Sequence, residues 1–569
     1  MSVIRNFSTR YQNLILLFAI LYIPLPVMAQ SRLLNVMADE LQREMSELKT
    51  QETPPYFMAY SVGDVHTTSM SASFGALTSS RESDSRILSV NVRVGDHQLD
   101  NSHELRDQYA FSSGGGYVLV AREDNEEALR AAIWQETNRR YREAVERFIK
   151  VKTNVAIKVG EEDSSADFSH EPEVYTFYEP PLDIASLLGN QTKWKEKVKK
   201  YSALLLENEN IYGGWASFSF TVERKHLITS EGTSIIQNLS YAQLFISSFI
   251  KSDDGMELPL YKSYYALTPN DLPEDDEILA DVRSMITKLA KLRNAPLVDP
   301  YTGPAVLSGR AAGVFFHEIF GHRVEGHRMK IETEGQTFKK QIGEKILPEH
   351  MDIFFDPTLK DYNEKILIGY YKYDDEGVKA RRIKIIESGV LKNFLMSRSP
   401  IENFPQSNGH GRAQSGYSPV SRQSNLIVKT TQSFTDEKLR EKLIELCKQQ
   451  DKPYGLFFQD IQGGFTYTGR TLPNTFNVSP IEVYRVYTDG RPDELVRGVD
   501  LVGTPLVMFS MITDTGGEIE VFNGICGAES GSVPVSAVSP SILVTQVEVQ
   551  KKSKSQERPP ILPRPDFDR

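Results

Sequence analysis

The sequence predicts an α+β protein, and three observations predict it. Amphipathic helical stretches and alternating strands are interspersed without the rhythm of a parallel βαβ series. From residue 300 onward, strands and Gly-rich loops dominate. The composition, 40% hydrophobic and 25% charged over 569 residues, is that of a globular chain with room for two to four folding units at ~150 residues each. Two cysteines exclude a disulfide-dense scaffold. The aliphatic and aromatic content excludes a disordered chain. With 65 basic and 76 acidic side chains, a net charge of −11 offers no sustained basic field to phosphates, so no nucleic-acid partner is expected.

Taken in order, Arg5 and Arg10 precede the apolar run Leu14 to Ile23, Pro24 and Pro26 break it, and Val27-Met28-Ala29 supplies a cleavage site. This is the layout of a secretory signal over 1–29, cleaved after Ala29. The run is too short for the ~20 helical residues of a membrane span, and no later segment is apolar enough, so the mature chain is expected to be exported to the periplasm without a span. Leu34, Met37, Leu41, Met45 and Leu48 fall at helical spacing. Tyr56–Tyr60 and the alternating Ile87–Val94 read as strands. A helix over about 124–150 has Asp124 or Asn125 as cap, Glu126 and Glu127 at the positive end of its dipole, and a stripe of Leu129, Ile133, Tyr141, Val145 and Phe148. Residues 160–175 are polar and acidic, read as a linker or loop. A helix near 192–206 precedes strands at 215–222, 226–230 and 241–250. The stretch Asp275 to Arg293, with Pro273 near its start and Pro296 beyond its end, is helical. Arg382–Glu387, a Ser388-Gly389 turn and Val390–Met396 form a hairpin, after an acidic turn Asp374-Asp375-Glu376-Gly377 expected to be solvated. The tail from 551 to 569, with Pro559, Pro560, Pro563 and Pro565, is expected to be unpacked.

The chemistry is concentrated at His317-Glu318-Ile319-Phe320-Gly321-His322, followed by Glu325 and His327. Upstream, Ser308 through Phe316 reads as a capped, closely packed helix. Delivering two histidines and a glutamate at the end of such a helix is costly unless each is paired or bound to a metal. The spacing is HExxxH, one residue longer than the zincin HExxH. On a regular α-helix the two histidines would lie roughly 140° apart, too divergent for one tetrahedral ion. A bulged or broken helix over 317–322 is therefore expected, eased by Gly321. Zinc suits two imidazoles in a partly apolar site, and a catalytic centre needs one more protein ligand and a water. Glu318 is then placed to take a proton from that water. Glu325 is a candidate to orient a ligand imidazole, and His327 a supporting or structural residue. In Asn408-Gly409-His410-Gly411-Arg412, His410 or Arg412 would bind a substrate carboxylate or an oxyanion, and an exposed turn is the plain alternative. Cys447 sits on the apolar side of an amphipathic helix as an inert hydrophobe. Cys526, flanked by Gly524 and Gly527, reads as a loop thiolate ligand. In an exported chain a Cys447–Cys526 disulfide is the competing alternative, which spacing alone does not exclude.

Three stretches together resemble the zinc-bearing TldD branch of the TldD/PmbA metallopeptidases: Tyr301-Thr302-Gly303-Pro304 through His322; Asn408–Arg412 with Arg422-Gln423-Ser424-Asn425; and Gly524-Ile525-Cys526-Gly527 with Ser532-Val533-Pro534-Val535. The resemblance covers about 33–550. It implies an N-terminal α/β domain (30–295) and a mainly antiparallel β domain (296–550) carrying the metal-site helix. It also implies one zinc ion per chain on His317, His322 and Cys526, with Glu318 as general base. The implied partners are unfolded peptide substrates and a second subunit, as a homodimer or as a heterodimer with a PmbA-type chain lacking the metal motif. A dipeptidyl peptidase III-like enzyme shares His-Glu-x-x-Gly-His, but its Glu-Glu helix has no counterpart downstream here. A non-catalytic subunit or binding module with a structural zinc is the alternative from another class, favoured by a closed four-ligand site.

Overall fold

A computed structural model describes residues 31–105, 116–156, 164–331, 334, 336–466, 468–469 and 476–552. The expected signal over 1–29 and the tail from 553 onward lie outside the described residues. No helix among the described residues is long and apolar enough to cross a membrane.

The fold is mixed α and β with two large sheets. Among the described residues the first has seven strands and is built around four long antiparallel ones: Pro55–Ser73, Ala76–Val94, Ile211–Thr229 and Ser234–Lys251. Two short expected strands, 215–222 and 226–230, are one continuous strand. Its polar middle, Glu223-Arg224-Lys225, reads as a break in an apolar pattern, but paired backbone carries it through. Strand alternation sorts this sheet cleanly. Met58, Tyr60, Val62, Leu88, Val90 and Val92 pack against the helices Arg32–Leu48 and Glu126–Ala156. Further along the same face, Phe218, Phe220, Leu244 and Ile246 pack against Gln191–Ala203 and Asp275–Asn294. The opposite face, with Ala59, Ser61, Ser89, Asn91, Arg93 and Lys225, lines a cavity of about 580 Å3 facing the C-terminal half, with His327 and Lys330 on its border.

Among the described residues the second sheet has eleven strands, nearly all antiparallel. Tyr301–Leu307, Tyr454–Thr466, Phe476–Tyr487, Val499–Gly503 and Gly531–Lys551 pair in a closed ring. Their apolar residues share one core with Phe315, Phe316 and Phe320. The expected hairpin is present: Ile383–Glu387 pairs with Val390–Leu391, and Ser388 and Gly389 take φ +47° and +77° at its turn. Residues 164–175 form the expected loop, without helix or strand, and Asp167, Phe168 and Ser169 within it are buried. The acidic turn departs from its expected solvation. Asp374 is buried and accepts the Glu376, Val378 and Gly411 amides, so backbone donors replace the water expected around it.

Candidate metal centre

The helix Gly309–Ile319 delivers the motif, and its sequence explains its position. The Ser308 hydroxyl accepts the Ala311 amide at 3.1 Å and donates to the Gln459 carbonyl at 2.8 Å, capping the helix and tying its start to a strand. Gly309 and Gly313 let the helix lie directly on Gly531–Lys551, since a Cβ at either would stand 2.5 Å from Ser539 O or 3.2 Å from Ala537 O. The α-helix ends at Ile319, and a separate 3-10 turn, Gly321–Arg323, carries His322. Of the two expected distortions, the chain takes the break and not the bulge. Arg323 closes the broken end by donating to the Glu318 and Ile319 carbonyls at 3.0 and 3.2 Å, and to Thr466 Oγ1 at 2.7 Å. Gly321 is needed for room and not for a left-handed backbone: a Cβ there would sit 1.9 Å from Gln423 Oε1. Gln423 in turn donates to the His317 carbonyl at 3.2 Å.

The break brings the two histidines together, with ring centroids 5.0 Å apart at 75°. Cys526 joins them from the long strand Ile512–Ala528, its Sγ 3.4 Å from His322 Nε2. This corrects the expected loop: Cys526 is strand-paired with Val533, and a Cβ on Gly527 would meet little while one on Gly524 would stand 2.9 Å from Phe522 Cε1. One ligand atom from each of His317, His322 and Cys526 lies within 4.8 Å of the others, and all three residues are buried. Cys447 and Cys526 are both free thiols, so the disulfide reading falls. Burial pushes the Cys526 thiol up, yet the His322 and His317 imidazoles outweigh it and hold it well below the usual thiol range. Burial lowers His322, but Cys526 and Glu325 raise it well above an ordinary imidazole. A thiolate facing two imidazoles, all withdrawn from water, is the donor set of a zinc site, and the residues present fit that ion.

The surroundings fix these ligands. His322 Nδ1 lies 3.2 Å from Glu325 Oε2, which also accepts from Arg328 Nε at 2.9 Å. Burial raises the Glu325 carboxyl, but His322 and Arg328 bring it down to about 2, so it is an anion orienting the imidazole. His327 is not part of the ligand cluster: its Nε2 is hydrogen-bonded to Glu529, which also receives Arg328 at 2.9 Å. Glu318 is half-buried and lies against Gly464, where a Cβ would come within 2.4 Å of its Cγ. His410 and Arg412 are buried away from solvent. His410 is bonded to Asn408 and to Ser424 Oγ at 3.2 Å and is pushed down by burial to about 3, so it is a neutral core histidine. Arg412 donates to the Gln423 carbonyl and lies over the Tyr371 ring. Both support the segment 422–425.

Sequence reasoning missed Arg422, Gly464 and Glu529 as builders of the site. Arg422 is fully buried and donates to Cys526 O at 2.7 Å, Ser530 Oγ at 2.7 Å and Gly531 O at 3.0 Å, with Glu325 3.6 Å from its Nε. It clamps the hairpin bearing Cys526 to the residue that orients His322. Its presence in the quoted Arg422–Asn425 stretch was the available signal.

Residues 300–551 match the family model described as the PmbA/TldA metallopeptidase C-terminal domain. A protein from Archaeoglobus fulgidus named Metalloprotease is 34% identical over 262 residues, 46% of this chain and 56% of that protein. A Zinc metalloprotease TldD homolog from Saccharolobus solfataricus is 28% identical over 285 residues, 49% of this chain and 58% of the relative. The chain thus spans little more than half the length of these curated relatives. The crystal structure of TldE from Thermococcus kodakarensis shares the fold, with a TM-score of 0.58 at 14% identity over 90% of this chain and 99% of that one. The C-terminal half of the chain is thus similar to the PmbA/TldA metallopeptidase C-terminal domain and to proteins named metalloproteases.

Proposed function

We propose that the chain is an exported, periplasmic zinc metallopeptidase that hydrolyses peptide bonds in unstructured peptides, with one zinc ion on His317, His322 and Cys526 and with Glu318 as general base. The convergence of those three buried ligand atoms beside Glu318 carries the reading. Zinc held there supplies a Lewis acid that lowers the pKa of water and polarises a carbonyl. Glu318 accepts the proton of the attacking water on its carboxylate and returns it to the departing amine nitrogen. Glu325 holds the His322 ring through Nδ1, and Arg422 holds the Cys526 hairpin against it. With His327 engaged by Glu529, three protein ligands leave a position open, which favours a catalytic over a closed structural site. The cavity bordered by His327, which His317, Glu318, His322 and Cys526 do not line, has room for an extended peptide. Pairing with a PmbA-type subunit or a second copy is part of the same proposal. Arg5 and Arg10 before the apolar run to Ile23 support export.

Glu318→Gln tests the reading. The variant is expected to keep zinc and to lose cleavage of an unfolded peptide by about 10²–10⁴-fold. Activity within a few-fold of wild type would remove Glu318 from the proton transfer.

A further inference from the structure

A second cluster of potential ligands lies apart from His317, His322 and Cys526. One ring nitrogen each from His97 and His170 and a carboxylate oxygen of Glu231 lie within 4.8 Å of one another. The three come from different places: His97 follows the strand Ala76–Val94, His170 lies in the packed segment 164–175, and Glu231 sits in the turn between Ile211–Thr229 and Ser234–Lys251. We propose that His97, His170 and Glu231 form a second divalent transition-metal site, of the zinc class, where the N-terminal sheet meets the C-terminal half.

The supporting contacts are those of a metal site. His97 Nδ1 faces the Phe168 carbonyl at 3.2 Å. A proton donated there leaves the lone pair on Nε2, the usual tautomer of a ligand imidazole. The His97 backbone is fixed as well, its carbonyl accepting the Asp167 and Phe168 amides at 3.0 and 3.1 Å. Glu231 is oriented by buried Arg398, whose NH1 and NH2 donate to its two oxygens at 2.7 and 3.0 Å. A carboxylate held in this two-pronged way keeps further lone pairs for an ion. His170 is exposed, and its ring meets that of His97 edge to face with centroids 5.6 Å apart. Its neighbour Ser169 is pinned on both sides of its peptide, its amide to Arg398 O at 2.8 Å and its carbonyl to Arg398 NH2 at 2.6 Å. Two ligands are thus preorganised and the third reaches in from the solvent side. Two imidazoles and one carboxylate select zinc, nickel or copper over magnesium or calcium. An ion there would fasten 164–171, the segment whose Ala166 carbonyl and Asp167 carboxylate also receive Lys330, three residues beyond His327.

The test is the number of zinc ions bound per full chain after dialysis against micromolar zinc, read by elemental mass spectrometry. Wild type is expected to hold two ions, His170→Ala one, Cys526→Ala one, and the double variant none. His97→Gln is expected to behave as His170→Ala. A His170→Ala count equal to wild type, or filling that needs millimolar zinc, overturns the proposal. An unchanged count in Cys526→Ala instead counts against Cys526 as a ligand and leaves this site standing. Zinc-edge anomalous diffraction from crystals of the Cys526→Ala chain gives the independent readout: a peak among His97, His170 and Glu231 supports the site, and a flat map there refutes it.

Discussion

Cys526 and Cys447 carry the same thiol in opposite fields. Both are buried. Around Cys447, packed with Leu439 and Leu443 on the helix Asp436–Gln449, burial acts with little opposition and raises the thiol to about 11, so it stays protonated and inert. Around Cys526 the two imidazoles overturn the same burial penalty. The expected outcome is that Cys526→Ala releases zinc and abolishes cleavage, whereas Cys447→Ala keeps both and costs about 1 kcal/mol of stability, read by metal analysis and urea unfolding side by side. The His317, Glu318 and His322 pattern was legible because its residue types have no packing reason to sit together at the end of an apolar helix. Arg422 was not legible as a clamp, because a guanidinium becomes one only when a remote hairpin closes on it.

At the scale of the element, the site depends on where the helix stops. A helix continued through His322 would point the two imidazoles apart, while the break at Ile319 and the 3-10 turn after it return His322 to His317. The sequence required a distortion but did not choose between bulge and break. That choice belongs to Arg323, which takes up the freed carbonyls, and to Gln423, which fills the space a side chain on residue 321 would occupy. Gly464 belongs to the same argument from the strand side. A methyl group there would collide with Glu318 Cγ, so Gly464→Ala is expected to lower kcat at least 10-fold by displacing the base, with zinc content unchanged. Loss of zinc together with activity would mean that the strand, and not Glu318, had been disturbed.

At the scale of the whole molecule, the long sheet keeps helices on one face and a cavity on the other, and it buries His226. Burial lowers His226 from its ordinary value to about 4. Its folded form is neutral, so the stability it contributes is complete above pH 6.5 and is lost as pH falls toward 4, a change on the order of a few kcal/mol. Glu376, raised by burial to about 7, acts in the opposite direction, gaining stability for the fold as pH drops. The check is therefore a difference between variants: from pH 7 to 4.5, His226→Gln is expected to lose less unfolding free energy in urea than wild type. Parallel losses in the two proteins would show that His226 is not held neutral.

The sequence by itself determined the α+β class, the longer helices, parts of the four long strands of the first sheet, the Ser388-Gly389 hairpin, and a motif whose spacing demands a distorted helix. Periodicity, capping and turn chemistry are local, so they can be read locally. Only the tertiary structure decided that 211–229 is one strand, that Asp374 of the acidic turn is buried, that His410 is core, and that Cys526 stands in a strand 3.4 Å from His322. Those outcomes depend on partners far away in the chain: the Gly411 amide for Asp374, Ser424 for His410, and the Arg422 clamp for the Cys526 hairpin. Burial reverses the ordinary preferences of polar groups only when such partners arrive, and no local pattern records which of them will.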